Sequence, residues 1–139
     1  MKYVPRLPFS VVPALAIAAA AAVTAADRTQ WKAPARAAGV TNPVSADPTS
    51  ISVGKTLFTR ECASCHGDSG KGNGPDAADL SRQPPDFAAP PVAAQTDGEL
   101  FWKITEGRKP MPRFSRTLRD DQRWHLVNYI RSIAARRGG

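Results

Sequence analysis

Five residues constrain this chain more than any others: Cys62-Ala63-Ser64-Cys65-His66, a C-x-x-C-H motif. That spacing is the attachment signature of a c-type haem. Each thiol can add across one vinyl group of the porphyrin to make a thioether. The adjacent imidazole, on the same turn, can then face the iron. Three other uses of these residues compete. A thioredoxin-like redox pair wants a βαβ setting, and no strand pattern is evident. Half a zinc site wants a second ligand pair, but the other histidine, His125, stands alone in a helical stretch. A plain Cys62–Cys65 disulfide suits an exported chain, yet the helix leading into the motif favours haem.

The rest of the chain leaves room for such a ring. It has 139 residues, only 7% of them aromatic, with 13 prolines and 10 glycines. A core this poor in large side chains calls for a staple or a cofactor. Two cysteines cannot supply a disulfide scaffold. With 42% hydrophobic and 22% charged residues the chain is globular, and its length excludes a multidomain enzyme.

The chain opens as an address. Lys2 and Arg6 precede an apolar run from Phe9 to Val23, and small residues at Ala25 and Ala26 suit cleavage. We read 1–26 as a signal peptide. The run is shorter than the ~20 residues a membrane span needs, and Pro13 interrupts it. The mature chain is expected to be periplasmic and soluble, with no stable span after cleavage. Loss of Lys2 and Arg6 lowers the formal charge from +7 to +5.

Residues 27–47 read as a mostly irregular N-terminal extension lying on the surface. Asp47-Pro48 then starts a helix that runs to about Cys62, with Ile51, Gly54, Leu57 and Phe58 on one stripe. A glycine inside a helix costs ~1 kcal/mol against alanine, so close packing on another backbone is expected there. From Gly67 to Thr96 turn residues dominate, with one short helical turn near 76–80. Something other than backbone ladders must organise so long a segment, and a prosthetic group is one answer. Thr96 and Glu99 form a capping box for a helix that ends at Gly107. Lys109-Pro110-Met111-Pro112 is extended. The final helix starts near Asp120 and buries Trp124, Val127, Ile130 and Ile133, while Arg136 and Arg137 suit its C-terminal dipole. The fold class is all-α: three main helices and long loops around one covalent haem.

Once Met1 is removed with the signal, Met111 is the one methionine left. A lone methionine is ordinarily core filler. Held between two prolines in a rigid loop, it suits an axial iron ligand better. His125, the rival, reads as a boundary histidine.

Several stretches together resemble a class I c-type cytochrome of the small bacterial monohaem kind. They are Asn42-Pro43-Val44, the Gly54…Phe58 helix, CASCHGDSGKGNGP at 62–75, ITEGRKPMP at 104–112 and WHLVNYIRSI at 124–133. The resemblance covers roughly residues 42–131, within a cytochrome c domain placed at 48–137. It implies His66 and Met111 as axial ligands of one haem c and Cys62 and Cys65 as its thioether sites. It also implies that the Pro75 carbonyl accepts from the ring N–H of His66. Gly54 and Phe58 would cross the last helix near Leu126 and Tyr129. Arg119 departs from the family pattern, which often has a serine-like N-cap there.

With both iron faces taken, the expected function is single-electron transfer rather than catalysis. The favoured role is a periplasmic carrier between a respiratory or dehydrogenase donor and a terminal acceptor. The alternative is a fixed haem c subunit of a dehydrogenase or oxidase complex. A ligand-binding sensor would need a labile Met111. From Phe101 onward there are ten basic residues and three acids. Lys103, Arg108, Lys109, Arg113, Arg116 and Arg119 flank Met111, where the resemblance implies an exposed haem edge. That pattern suits redox protein partners with an acidic docking face. Nucleic acid is excluded by export and by the lack of interleaved stacking aromatics.

Overall fold

The computed structural model describes residues 31–138. The signal-peptide segment, 1–26, lies outside them. The fold below is that of the compact unit that begins at Ala33. Its elements in chain order are α1 (Ala35–Ala38), α2 (Pro48–Glu61), α3 (Ala63–His66), a 3-10 turn (Ala77–Asp79), α4 (Pro90–Ala93), α5 (Asp97–Glu106), a second 3-10 turn (Phe114–Arg116) and α6 (Asp120–Gly138). Only α2, α5 and α6 exceed a single turn or so, and no strand occurs among the described residues. The all-α, three-helix expectation holds.

The ends of the main helices follow from local chemistry. Asp47 accepts from the Ser50 amide at 2.8 Å, and Pro48 occupies the first turn of α2. Thr96 and Glu99 make both bonds of the capping box of α5. The first backbone bond of α6 runs from the Arg123 amide to the Arg119 carbonyl at 3.1 Å, so Arg119 is its N-cap. The Gln122 side chain accepts from the Arg119 amide at 3.0 Å, and the Arg119 guanidinium pairs with Asp121. Only half of a capping box is therefore present, which accounts for a cap without serine.

Gly54 decides how α2 meets α6. A Cβ at that position would lie 2.1 Å from the His125 carbonyl oxygen and 2.8 Å from the Tyr129 Cβ. The two backbones thus approach where only glycine fits, and the ring of Phe58 meets that of Tyr129 at 5.2 Å. Leu126 and Val127, both without exposed surface, sit under this crossing. On the other side of α6, Trp124 stacks on Phe101 of α5 with centroids 3.9 Å apart.

The segment before α2 does more than lie on the surface. Ala37 is buried, and a Cβ at Gly98 would come within 2.1 Å of its carbonyl. The Asn42 amide donates to Asn128 at 2.7 Å, and Asn128 donates to Ser50 Oγ at 2.8 Å and to the Val44 carbonyl at 3.1 Å. Ser50 Oγ also meets His125 Nδ1 at 2.8 Å, which puts His125 in a structural seam, away from the iron-binding motif. Arg131 donates to Asp97 at 2.8 Å. This polar seam ties the starts of α2 and α5 to the middle of α6. It satisfies groups whose burial would otherwise cost about 1–3 kcal/mol each.

Candidate haem site

The motif begins where α2 ends. Cys62 breaks the helix, and the next turn, α3, carries Cys65 and His66. Amides of Cys65 and His66 both bond to the Cys62 carbonyl, at 3.2 and 2.9 Å, so thiols and imidazole share one turn. Cys62 and Cys65 are half-buried free thiols. Burial, then the charges of Glu61 and Cys65, pushes the Cys62 thiol up to about 12. The Cys62 side chain is therefore a protonated thiol.

A helix that stops after one turn leaves carbonyls without partners. Here the following loop supplies them. The amides of Gly72, Gly74 and Asp76 donate to the carbonyls of His66, Cys65 and Ser64 at 2.9, 3.1 and 2.9 Å. Alternate residues of the loop thus step backwards along α3. Gly72 has φ +73°, and a Cβ there would fall 2.0 Å from the Pro84 carbonyl oxygen. At Gly74 a Cβ would fall 2.2 Å from that of Ser64. The Phe87 amide closes the return on the Gly70 carbonyl at 2.9 Å.

The His66 ring stacks on Phe87, with centroids 4.9 Å apart and planes 27° from parallel. Burial lowers its pKa to about 4, so the imidazole is neutral and able to bind a metal. Its Nδ1 is buried, and the structure records no hydrogen-bond partner for it. Pro75 itself is exposed, and its neighbours Gly74 and Asp76 are engaged with α3.

Met111 sits in a separate short loop. Gly107, at φ +62°, ends α5, and a Cβ there would fall 2.3 Å from the Pro112 carbonyl oxygen. Arg108 and Met111 exchange backbone bonds of 3.0 and 2.9 Å. The Arg113 guanidinium reaches Glu106 Oε2 at 2.8 Å and holds the loop to the end of α5. Met111 is half-buried and packs on the edge of the core, as does Cys62. Of the basic residues around it, Arg113 and Arg119 are taken up by Glu106 and Asp121. Lys103 is half-buried and donates to Gln95, and its burial lowers its pKa. Arg108, Lys109 and Arg116 have no carboxylate partner among the described residues.

Two features were not read from the sequence. Arg137 does more than complement the α6 dipole: it grips Asp86 through both carboxylate oxygens, at 2.5 and 2.8 Å. Arg123 is buried at 4% exposure, contacting Asp120, Thr105 and the Phe101 ring face at 4.7 Å. An arginine beside Trp124 looks like part of an exposed helix face, and only the contact with α5 reveals its burial.

Two free thiols on one turn, a half-buried neutral imidazole with an unbonded nitrogen, and a thioether at the core edge are donors of the kind that a covalent haem takes. The residues present fit the group. Together with the strandless helical fold, they define a class I c-type cytochrome. The family model described as "Cytochrome C oxidase, cbb3-type, subunit III" matches residues 49–130, and the chain belongs to that family. It is 30% identical over 87 residues to the cytochrome bc1 complex cytochrome c subunits of Corynebacterium diphtheriae and Corynebacterium efficiens. That match spans 62% of this chain but only 28% and 27% of those proteins. A chain of a reducing HAO-like protein complex of Kuenenia stuttgartiensis superposes with a TM-score of 0.62 at 28% identity, over 78% of this chain and 53% of that one. Cytochromes c of this kind transfer electrons through covalently bound haem. Among the described residues no helix is long and apolar enough to cross a membrane.

Proposed function

We propose that this protein is a single-haem electron carrier of the periplasm, passing one electron at a time between a respiratory or dehydrogenase donor and a terminal acceptor. The observation that carries the reading is the shared turn of Cys62, Cys65 and His66, with Met111 at the edge of the same core. Cys62 and Cys65 would hold haem c covalently, and His66 and Met111 would take its two axial positions. Bound there, the group supplies a one-electron iron couple. The chain's own part is to keep a neutral imidazole in place, hold a thioether in a loop, and exclude water with Leu100, Ile104 and Phe114, all buried. With no coordination position left open, the role is electron transfer rather than catalysis. The unpaired cations Arg108, Lys109 and Arg116 would meet an acidic partner face.

A second reading, a fixed haem c subunit of a larger complex, is favoured by the names of the relatives, which are subunits of multi-protein assemblies. Size-exclusion profiles of the native periplasmic extract separate the two: a carrier elutes near its own mass, a fixed subunit with its complex.

The ligand set is tested on the purified holoprotein. The ferric form is expected to show the weak near-infrared band of thioether-to-iron bonding. Met111→Ala should lose that band and bind carbon monoxide. Ready carbon monoxide binding by the wild type at neutral pH would remove Met111 as the stable ligand.

A further inference from the structure

We propose that Arg123 is a positioning residue for Met111: its buried guanidinium clamps both ends of the segment 106–119 and so sets where the thioether is offered to the iron. The proposal rests on the reading of Met111 as an axial ligand. It goes beyond that reading by naming what holds the ligand's segment to the helices.

Arg123 is 4% exposed, and arginine is almost never buried so completely without a specific partner. Its carboxylate partner does not account for that burial, because the Asp120 side chain is 83% exposed and an ion pair reaching into water is worth little. The guanidinium sits instead at a junction. Its Nη2 donates to Asp120 at the start of α6, just after the segment. Its Nη1 donates to Thr105 in the last turn of α5, just before the segment. Met111 lies in the chain between these two attachment points. A planar fork with fixed donor directions can bridge two such points at once, whereas a lysine ammonium on its flexible stem is a single point charge.

The hold on α5 has two contacts one turn apart. The Arg123 Cζ lies over the face of the Phe101 ring, 4.7 Å from its centroid, and Phe101 also stacks on Trp124. The Thr105 hydroxyl gives its proton to the Phe101 carbonyl at 2.7 Å, so its oxygen is left to accept from Arg123. Contacts at Phe101 and Thr105 together fix the direction of the last turn of α5 as well as its distance from α6. The base of Arg123 is fixed too: its amide makes the first backbone bond of α6, to the Arg119 carbonyl at 3.1 Å. Two residues beyond Thr105 the chain turns at Gly107, and the Arg108–Met111 exchange follows. That exchange closes the tip of the loop, whereas Arg123 sets the spacing of the segment's ends. A segment whose ends can drift offers its thioether over a wider range of positions, and an external ligand then competes better.

The test uses the ferric holoprotein, with added imidazole as the competitor for the methionine position and the near-infrared thioether band as a second readout. Arg123→Lys keeps the charge and loses the fork, and Thr105→Val keeps the shape and loses the acceptor. Each should weaken the band and raise the imidazole affinity roughly tenfold, as loss of a charged hydrogen bond would. Thr105→Val added to Arg123→Lys should change little further, because both substitutions remove the same bond. Asn42→Ala cuts the polar seam at Asn128 and Asp97 and serves as the structural control. It should lower the unfolding temperature and leave the imidazole affinity unchanged. Unchanged affinity in either Arg123→Lys or Thr105→Val, or a gain in Asn42→Ala as large as theirs, overturns the proposal. If Arg123→Lys fails to fold, Thr105→Val, at a half-buried position, decides alone. A wild type without the thioether band overturns the ligand reading and this proposal with it, whereas a wild type with the band and unmoved variants overturns this proposal only.

Discussion

The two sides of the candidate haem site are built by different means. The His66 side is made of burial and backbone bonds. Three loop amides cap the carbonyls of α3, two glycines lie against carbonyl oxygens, and Phe87 covers the ring. The Met111 side is a short loop with Lys109 and Pro110 exposed, closed by one backbone exchange and one surface ion pair. The first arrangement can open only by dismantling much of the fold. The second can open by itself. The methionine face is thus the one where a ligand would be lost, and also the one that carries the unpaired cations.

The sharpest way to break this comparison is to place a Cβ on each side. Gly72→Ala forces a left-handed residue into the Pro84 carbonyl and should destabilise the whole domain by about 2–4 kcal/mol, read as a fall in the denaturation midpoint. Gly107→Ala meets a similar obstacle at Pro112, yet should leave the helices folded and abolish the near-infrared thioether band. Equal global destabilisation by both would mean that the methionine loop is not a separate unit.

The surface charge gives the next effect. Oxidation of the reduced protein by anionic ferricyanide should slow as salt rises, because such attraction is screened over ~10 Å at 0.1 M. The double variant Lys109→Glu, Arg116→Glu should flatten that salt dependence while the haem spectrum stays unchanged. Lys55→Glu with Arg136→Glu, which carries the same change of net charge on other helices, should flatten it less. Equal flattening would leave only net charge as the cause. Arg137 is unsuited to such a control because Asp86 holds it.

Arg113→Ala should do little to stability, under about 1 kcal/mol, since the pair with Glu106 is exposed. Its effect should appear instead as a roughly two- to fivefold gain in affinity for added imidazole, which displaces a loosened methionine. An unchanged affinity would show that the backbone exchange alone closes the loop.

The smallest effect is acid-dependent. The hydrogen bonds from Arg137, then that from the Ala88 amide, lower the Asp86 pKa from 3.8 to about 2. A carboxylate depressed on folding contributes stability that is whole above its unfolded pKa and is lost as pH falls through the folded one. The contribution should therefore fade from about pH 4 to about pH 2. In Arg137→Ala the unfolding temperature should depend less on pH across that window, and an identical dependence would remove the pair as its cause.

Much of this was written locally in the chain. Asp47, Thr96 with Glu99, and Gly107 mark helix ends within a few residues, so the three helices were legible with nearly correct bounds. The motif turn was legible for the same reason. The segment from Gly67 to Thr96 lacks periodicity, and its organisation is not legible in sequence: amides stepping along α3 leave no side-chain pattern. Asn42 with Asn128, and Asp86 with Arg137, pair across long stretches of sequence, and an asparagine or arginine looks the same paired or solvated. Phe87 reads in sequence as one of the apolar residues that would wrap a haem, but its stacking on His66 leaves no local pattern.

The crossing of α2 and α6 has a kinetic consequence. Gly54 and His125 are about seventy residues apart, and closing so long a loop is entropically costly before any contact rewards it. The turn that carries Cys62, Cys65 and His66 needs only its neighbours and can form at once. The helix crossing is the costlier step, and Gly54 is where slowing should show: a side chain there would delay closure of the shell.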